Sequence, residues 1–244
     1  MKRLLVLLFV CFASATSFAQ DIDQIIASHM QALGGNEKWT NIKSMKMTGS
    51  LELGPNMKAP FTIYMKGRNK MRFEMEFQGM KMIQALDGDS GWAISPFMGK
   101  TDPERMSEED VRSGKEQADF TPELFDYKVK GSIVESMGKE DMEGTETIKL
   151  KVTKKNGDIK YMYLDSQTFL VLKETSRQKF QDKEIEAVSI PSDYRSISGM
   201  MFPFSMEMRA DEESTQGQSM VFDSVEINPT FDESIFAFPS GEKK

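Results

Sequence analysis

The chain has 244 residues, with 31 Lys and Arg against 38 Asp and Glu, a formal net charge of −7. That balance argues against nucleic acid and supplies no global electrostatic reason to sit on anionic lipid. With one Cys and one His in the whole sequence, a Cys/His zinc site is excluded, and no plausible Ser-His-Asp set stands out around the single His29.

The first residues set the expected compartment. Lys2 and Arg3 form a basic start, and Leu4 to Phe12 is an apolar run too short to span a bilayer. Ser17-Phe18-Ala19 has small residues at its first and third places, as a signal peptidase requires. The expectation is a signal peptide over 1–19 and a mature chain over 20–244 that folds as one domain in the periplasm. Val10 before Cys11 is not small, which argues against a lipoprotein signal. Cleavage removes Cys11, Lys2 and Arg3, leaving 29 basic against 38 acidic residues, a net −9. Without cysteine the mature protein depends on core packing alone. No later run approaches the length of a membrane helix.

A helix is expected next. Ile22, Ile25, Ile26, Met30 and Leu33 recur at helical spacing with His29 beside them. Asp21 is a candidate cap with Gln24 as its capping-box partner, and Gly34-Gly35 is the stop. From Lys43 the period becomes two. Met45, Met47, Gly49, Leu51 and Leu53 alternate with polar residues up to Gly54-Pro55-Asn56. Phe61, Ile63 and Met65 continue the pattern. After Gly67-Arg68-Asn69, Met71, Phe73, Met75 and Phe77 alternate with Arg72, Glu74 and Glu76. Gly79 turns the backbone into a strand running to Leu86.

Residues 96–127 are punctuated by Pro96, Pro103 and Pro122 and read as a helical insertion. Ser107 is expected to cap a helix through Ala118, and Thr121 another with Pro122 at its first position. Strands resume with Ile148, Leu150 and Val152. Asn156-Gly157 signals a two-residue hairpin, and Asp165 to Thr168 another turn. Later strands are expected near 183–197, 200–210 and 217–227. The total is about eleven strands. An antiparallel sheet of that size normally curls, splits or closes.

Candidate chemistry is sparse. His29 on the border of an apolar helix face reads as a packed histidine. Asp87-Gly88-Asp89-Ser90-Gly91 has a superficial calcium-loop look, but it lacks the distal Glu and reads as a turn. No metal, cofactor or catalytic residue is assigned, and carboxylate pairs stay open because Asp and Glu are abundant.

Methionine is the distinctive feature. The sequence has 20, and the mature part has 19 Met against 9 Leu. Met is flexible and polarizable, so it suits apolar surfaces that accept varied shapes, although it also serves as core filler.

Three segments carry a resemblance. Asp87-Gly88-Asp89-Ser90-Gly91-Trp92-Ala93-Ile94-Ser95-Pro96-Phe97 resembles a D-G-x-x-x-W-x-x-x-P-F stretch, and Leu164 to Phe169 resembles a turn of the form D-x-x-T between two central strands. Phe236-Ala237-Phe238-Pro239-Ser240-Gly241 resembles an F-x-F-x-P-x-x-G ending, one residue shorter. In this order they resemble the LolA/LolB class of outer-membrane lipoprotein-sorting proteins. The resemblance implies a mainly β (α+β) fold: a highly curved, half-open antiparallel β-barrel of about eleven strands, with an N-terminal helix and a helical lid.

It further implies a monomeric, non-enzymatic carrier of lipoprotein or lipid acyl chains, with membrane-bound donor and acceptor proteins as partners. The expected cavity lining is Met45, Met47, Leu51, Met71, Phe73, Met75, Phe77, Trp92, Phe204, Met206 and Met208. Phe120, Leu124 and Phe125 are the expected lid anchors. The family's lid-latching arginine corresponds best to Arg68, which is followed directly by Asn69 without the family's proline. A sensor module of the same fold, or an envelope hydrolase with a carboxylate pair, are the alternatives.

Overall fold

The computed structural model describes residues 15–54, 56–180, 183–214 and 217–239. Most of the expected signal peptide lies outside these residues.

The fold is mainly β. Its strands are β1 (Ser44–Gly54), β2 (Met57–Lys66), β3 (Lys70–Phe77), β4 (Met80–Asp87), β5 (Ser90–Ser95), β6 (Lys100–Arg105), β7 (Ile133–Met142), β8 (Thr145–Thr153), β9 (Ile159–Asp165), β10 (Val171–Phe180), β11 (Lys183–Ile197), β12 (Met200–Arg209) and β13 (Gln218–Ile227). They form one antiparallel sheet in the order β6-β5-β4-β3-β2-β1-β13-β12-β11-β10-β9-β8-β7. The sheet is open, with β6 and β7 as its edges. The helices are α1 (Ala15–Ala32), α2 (Asn36–Thr40), α3 (Glu108–Ala118) and α4 (Tyr127–Lys130). Contacts gather into two compact units, Met1–Gly35 with Leu124–Glu186, and Asn36–Glu123 with Ala187–Lys244.

Thirteen strands stand where about eleven are expected, for reasons local to β6 and β7. The β6 sequence, Lys-Thr-Asp-Pro-Glu-Arg, has no apolar alternation, so it reads as part of a helical insertion. Strand β7 is an edge strand whose side chains are mostly exposed, and it also lacks a two-residue apolar rhythm.

In the first unit, α1 presents Ile25, Ile26 and Met30 as buried residues, and Leu33 directly after it is buried too, at the expected spacing. The helix already starts at Ala15, so Asp21 lies within it and is not its cap. The stop at Gly34-Gly35 is as expected. Both residues have positive φ (106° and 90°), and the Gly35 N–H donates to the Met30 carbonyl. Leu150, Val152, Met162 and Leu164 form the buried face of β8 and β9. The β8–β9 connection is not a two-residue hairpin. The Gly157 N–H donates to the Lys154 carbonyl and the Lys154 N–H to the Asp158 carbonyl, a wider loop that places only Gly157 at positive φ. The Asp165 carboxylate accepts the N–H groups of Gln167 and Thr168 at 2.8 and 2.7 Å, which closes the expected turn and holds its pKa below the usual value.

In the second unit, β1 to β6 run as a meander. Ser107 caps α3 as expected, accepting the Asp110 N–H at 3.1 Å. Thr121 does not start a helix. The Asp119 carboxylate takes both its N–H and its hydroxyl, forming a local turn, and the next helix is α4, after Asp126.

Candidate functional site

Residues paired across antiparallel strands share a face of the sheet. Met45 pairs with Met65 and Ile227, Met47 with Ile63 and Val225, and Leu51 with Ala59 and Met220. Met65 pairs with Met71, Ile63 with Phe73, and Phe61 with Met75. Phe77 pairs with Met80, and Met206 with Met220. Phe204 and Met208 alternate with Met206 on β12 and so share its side. Ten of the expected lining residues therefore lie on a single apolar face within the second unit: Met45, Met47, Leu51, Met71, Phe73, Met75, Phe77, Phe204, Met206 and Met208.

Trp92 is the exception. It pairs with Ala85, which pairs with Arg72, so it stands on the opposite face. The alternation of β5 could not reveal this, because the side a strand shows to its neighbours depends on register across β4 and β3. On that opposite face Trp92 packs with Ile83, Ala85 and Ile94. Its Nε1 donates to the Phe236 carbonyl at 2.9 Å, and Arg72 donates to the Ile235 carbonyl at 2.6 Å. The segment after β13 is thereby strapped to the back of β2–β5. The aromatic contacts Tyr64–Phe231, Phe231–Phe236 and Trp92–Phe238 complete this layer.

Burial along the apolar face alternates by row: Met47, Ile63 and Phe73 are half-buried, whereas Phe61 and Met75 beyond them are buried. Met45, Met65, Met71 and Leu86 are buried at one end. There α3 packs onto β3, β4 and β5, with Gly114 against Leu86 and Met106 against Gly91. Trp39 of α2 covers Phe202 at a ring separation of 5.2 Å. Toward the other end Leu51, Phe77, Met206 and Met208 are also half-buried. Phe204 is buried, with Arg195 stacked 4.4 Å over its ring. Phe61, Ile63, Met65, Met220 and Phe222 belong to the same face, and their alternation in sequence was the signal that could have added them. Phe61 links them, lying 5.8 Å from Phe73 and 5.5 Å from Phe222. Its ring crosses Gly49, where a Cβ would stand 2.7 Å from the Phe61 Cζ.

An ion pair ties the helical cover to the sheet. Lys115 of α3 bridges to Asp89 in the β4–β5 turn, and this pair holds the Asp89 carboxyl below its ordinary pKa. Arg68 is exposed on the β2–β3 turn, next to Asn69, whose carbonyl accepts the Gly88 N–H. Of the expected lid anchors, Phe120 is half-buried in the second unit, and Leu124 and Phe125 are buried in the first.

The first unit has its own cavity of about 320 Å³, lined by Gln24, Ile25 and Ser28 of α1 with Ser136, Lys139, Ile148 and Phe169. His29, only 1% exposed, lies next to this stretch of α1, with Nδ1 2.7 Å from the Phe169 carbonyl. Burial lowers its pKa, which keeps the ring neutral and assigns the Nδ1 proton to that carbonyl. Among the described residues no group of three His, Cys, Asp or Glu could hold a metal ion.

No family model and no curated protein matches the sequence. Solved structures do match in fold. A LolA superfamily protein from Nitrosomonas europaea has a TM-score of 0.58 at 12% identity, covering 88% of this chain and 96% of its own. A domain assigned as an outer membrane lipoprotein-sorting protein from Vibrio parahaemolyticus has a TM-score of 0.57 at 11% identity, covering 91% and 97%. A DUF1329 family protein from Desulfovibrio piger has a TM-score of 0.56 at 14% identity, covering 88% and 97%. With an open thirteen-stranded antiparallel sheet and these structural neighbours, the protein has the LolA-like fold.

Proposed function

We propose that the protein is a periplasmic, non-enzymatic carrier that holds acyl chains of lipoproteins or lipids on the methionine-rich face of its second unit. The observation that carries this reading is the gathering of Met45, Met47, Met71, Met75, Met206 and Met208 on one side of the sheet. Met47, Met206 and Met208 are only half-buried, which leaves apolar surface able to receive hydrocarbon. Thioether side chains adjust to cargo of different length and branching.

Energetics favour a loose hold. Burying hydrocarbon contributes about 0.8 kcal/mol per CH₂, so one long acyl group reaches roughly 10 kcal/mol. That is affinity enough for capture, and a compliant lining keeps release accessible. Export of the protein, its single-domain character and its monomeric state belong to the same proposal.

Native mass spectrometry of protein purified from the periplasm tests it. The expected result is a co-purified lipid or acylated peptide that leaves on delipidation. Clean apo protein that takes up no fatty-acyl ligand when offered one would overturn it.

A further inference from the structure

The open end of the apolar face has a pattern of its own. In an antiparallel meander alternate turns fall at the same end of the sheet. The β1–β2, β3–β4 and β5–β6 connections therefore lie together at the end of the apolar face that carries Leu51, Phe77 and Met80, each only half-buried. Each carries a large apolar side chain. Met57 is 45% exposed, Phe97 45% and Met98 77%. The β3–β4 turn adds Phe77 and Met80, and the Phe77 and Phe97 rings lie 6.2 Å apart, joining two of the turns. Each apolar prong is followed by a lysine: Lys58 after Met57, Lys81 after Met80 and Lys100 two residues after Met98. No acidic residue occurs within 56–58, 77–81 or 96–100.

We infer that these three turns dock the protein on a bilayer containing anionic phospholipid. Apolar tips would enter the acyl boundary while the lysines reach back to headgroup phosphates, since a long lysine stem can bury its methylenes and keep its ammonium among polar groups. The charge pattern selects that partner. The three lysines are tethered from behind by Glu52, Glu74 and Glu104, each at 2.8 Å. The Lys58–Glu52 and Lys100–Glu104 pairs are largely exposed and can give way to phosphate, and Lys81 is itself exposed although Glu74 is mostly buried beside Arg72. The β12–β13 connection reaches the same end but carries Asp211, Glu212 and Glu213. An anionic surface therefore meets the β1–β6 turns and is repelled by their acidic neighbour, which fixes the orientation of docking. Phe77 belongs both to a turn and to the apolar face. An acyl group leaving the bilayer there would pass onto the face without crossing water. This inference deepens the proposed carrier function and rests on it for the fate of the acyl group, though not for the docking.

Vesicle flotation on the mature protein purified from the periplasm tests it, using vesicles of phosphatidylethanolamine with phosphatidylglycerol and vesicles of phosphatidylcholine alone. A soluble fluorescent acyl probe is titrated in parallel. The native protein should float with the anionic vesicles and less with the neutral ones. Met57→Ser, Phe97→Ser and Met98→Ser together should weaken vesicle binding by about tenfold or more, through lost apolar insertion. Lys58→Gln, Lys81→Gln and Lys100→Gln together should remove its salt dependence. Probe affinity and melting temperature should stay as in the native protein in both variants. Native protein that fails to float, or a triple Ser variant that floats equally well, would overturn the docking surface. Flotation through these turns without any probe binding would leave the docking standing and remove the carrier reading.

Discussion

Trp92 and Phe236, 144 residues apart, are joined by a 2.9 Å hydrogen bond from the indole N–H to the Phe236 carbonyl. The bond joins the start of β5 to the segment after β13. Phe236 is 0% exposed, and the turn at Glu233–Ile235 presents successive carbonyls to Arg72 and Trp92. Phe236→Ala should therefore cost about 3–5 kcal/mol, as large buried aromatics do. Trp92→Phe should cost less, chiefly by leaving the Phe236 carbonyl without its donor, about 1–3 kcal/mol. Urea unfolding followed at equilibrium checks both. An unchanged midpoint for Phe236→Ala would show that the strap does not stabilise the sheet.

The strands were legible wherever one face is buried and the other wet. Met45 to Leu53 and Met71 to Phe77 alternate in sequence because they alternate in space. Strand β6 was illegible because an edge strand of Lys, Thr, Asp, Pro, Glu and Arg has no buried face to report. The apolar face was legible as a set of side chains but not as a surface. Trp92 looked like a member because its own strand is apolar, and only the pairing through Ala85 to Arg72 puts it on the other side. The lid tie was hidden for a similar reason. Lys115 and Asp89 are ordinary charges in sequence, and only the packing of Gly114 on Leu86 brings them together.

Gly49 is needed where Phe61 crosses β1. A Cβ there would collide with the Val221 carbonyl and stand 2.7 Å from Phe61 Cζ, beside the register shift at Thr48/Gly49. Backbone cannot yield as a flexible side chain does. Gly49→Ala should destabilise by about 1–3 kcal/mol through overpacking. A neutral effect in urea unfolding would mean that the bulge relaxes freely.

His29 makes stability depend on pH. Burial lowers its folded pKa, partly offset by the Phe169 carbonyl and Glu174, so the unfolded protein binds the proton more readily. Stability is then fully present above the ordinary histidine pKa of about 6.5 and is lost as pH falls below it toward the folded value. Urea midpoints measured from neutral to mildly acidic pH should fall, and His29→Asn should flatten that part of the profile. An identical profile in the variant would assign the acid sensitivity elsewhere.

The Lys115–Asp89 pair is exposed, so it should matter for local opening more than for global stability. The buried residues of α3 are only Gly114 and Ala118, which gives the helix little apolar anchorage. Lys115→Ala should speed amide exchange in 108–118 while exchange in β3 and β4 stays as it was. High salt should have the same effect on the native protein. Unchanged exchange in 108–118 would show that packing on Leu86 suffices to hold the helix.

In the proposed function, acyl chains rest on the face shared by Leu51, Phe73, Met206 and Met208. The most direct measurement is photo-crosslinking with a fatty acid that carries a diazirine along its hydrocarbon tail, followed by peptide mapping of the labelled protein. Label is expected on β1, β3 and β12 at these face residues, competed away by unlabelled fatty acid. Label confined to the Gln24–Ser28 cavity of the first unit, or to the Trp92 side of the sheet, would contradict it.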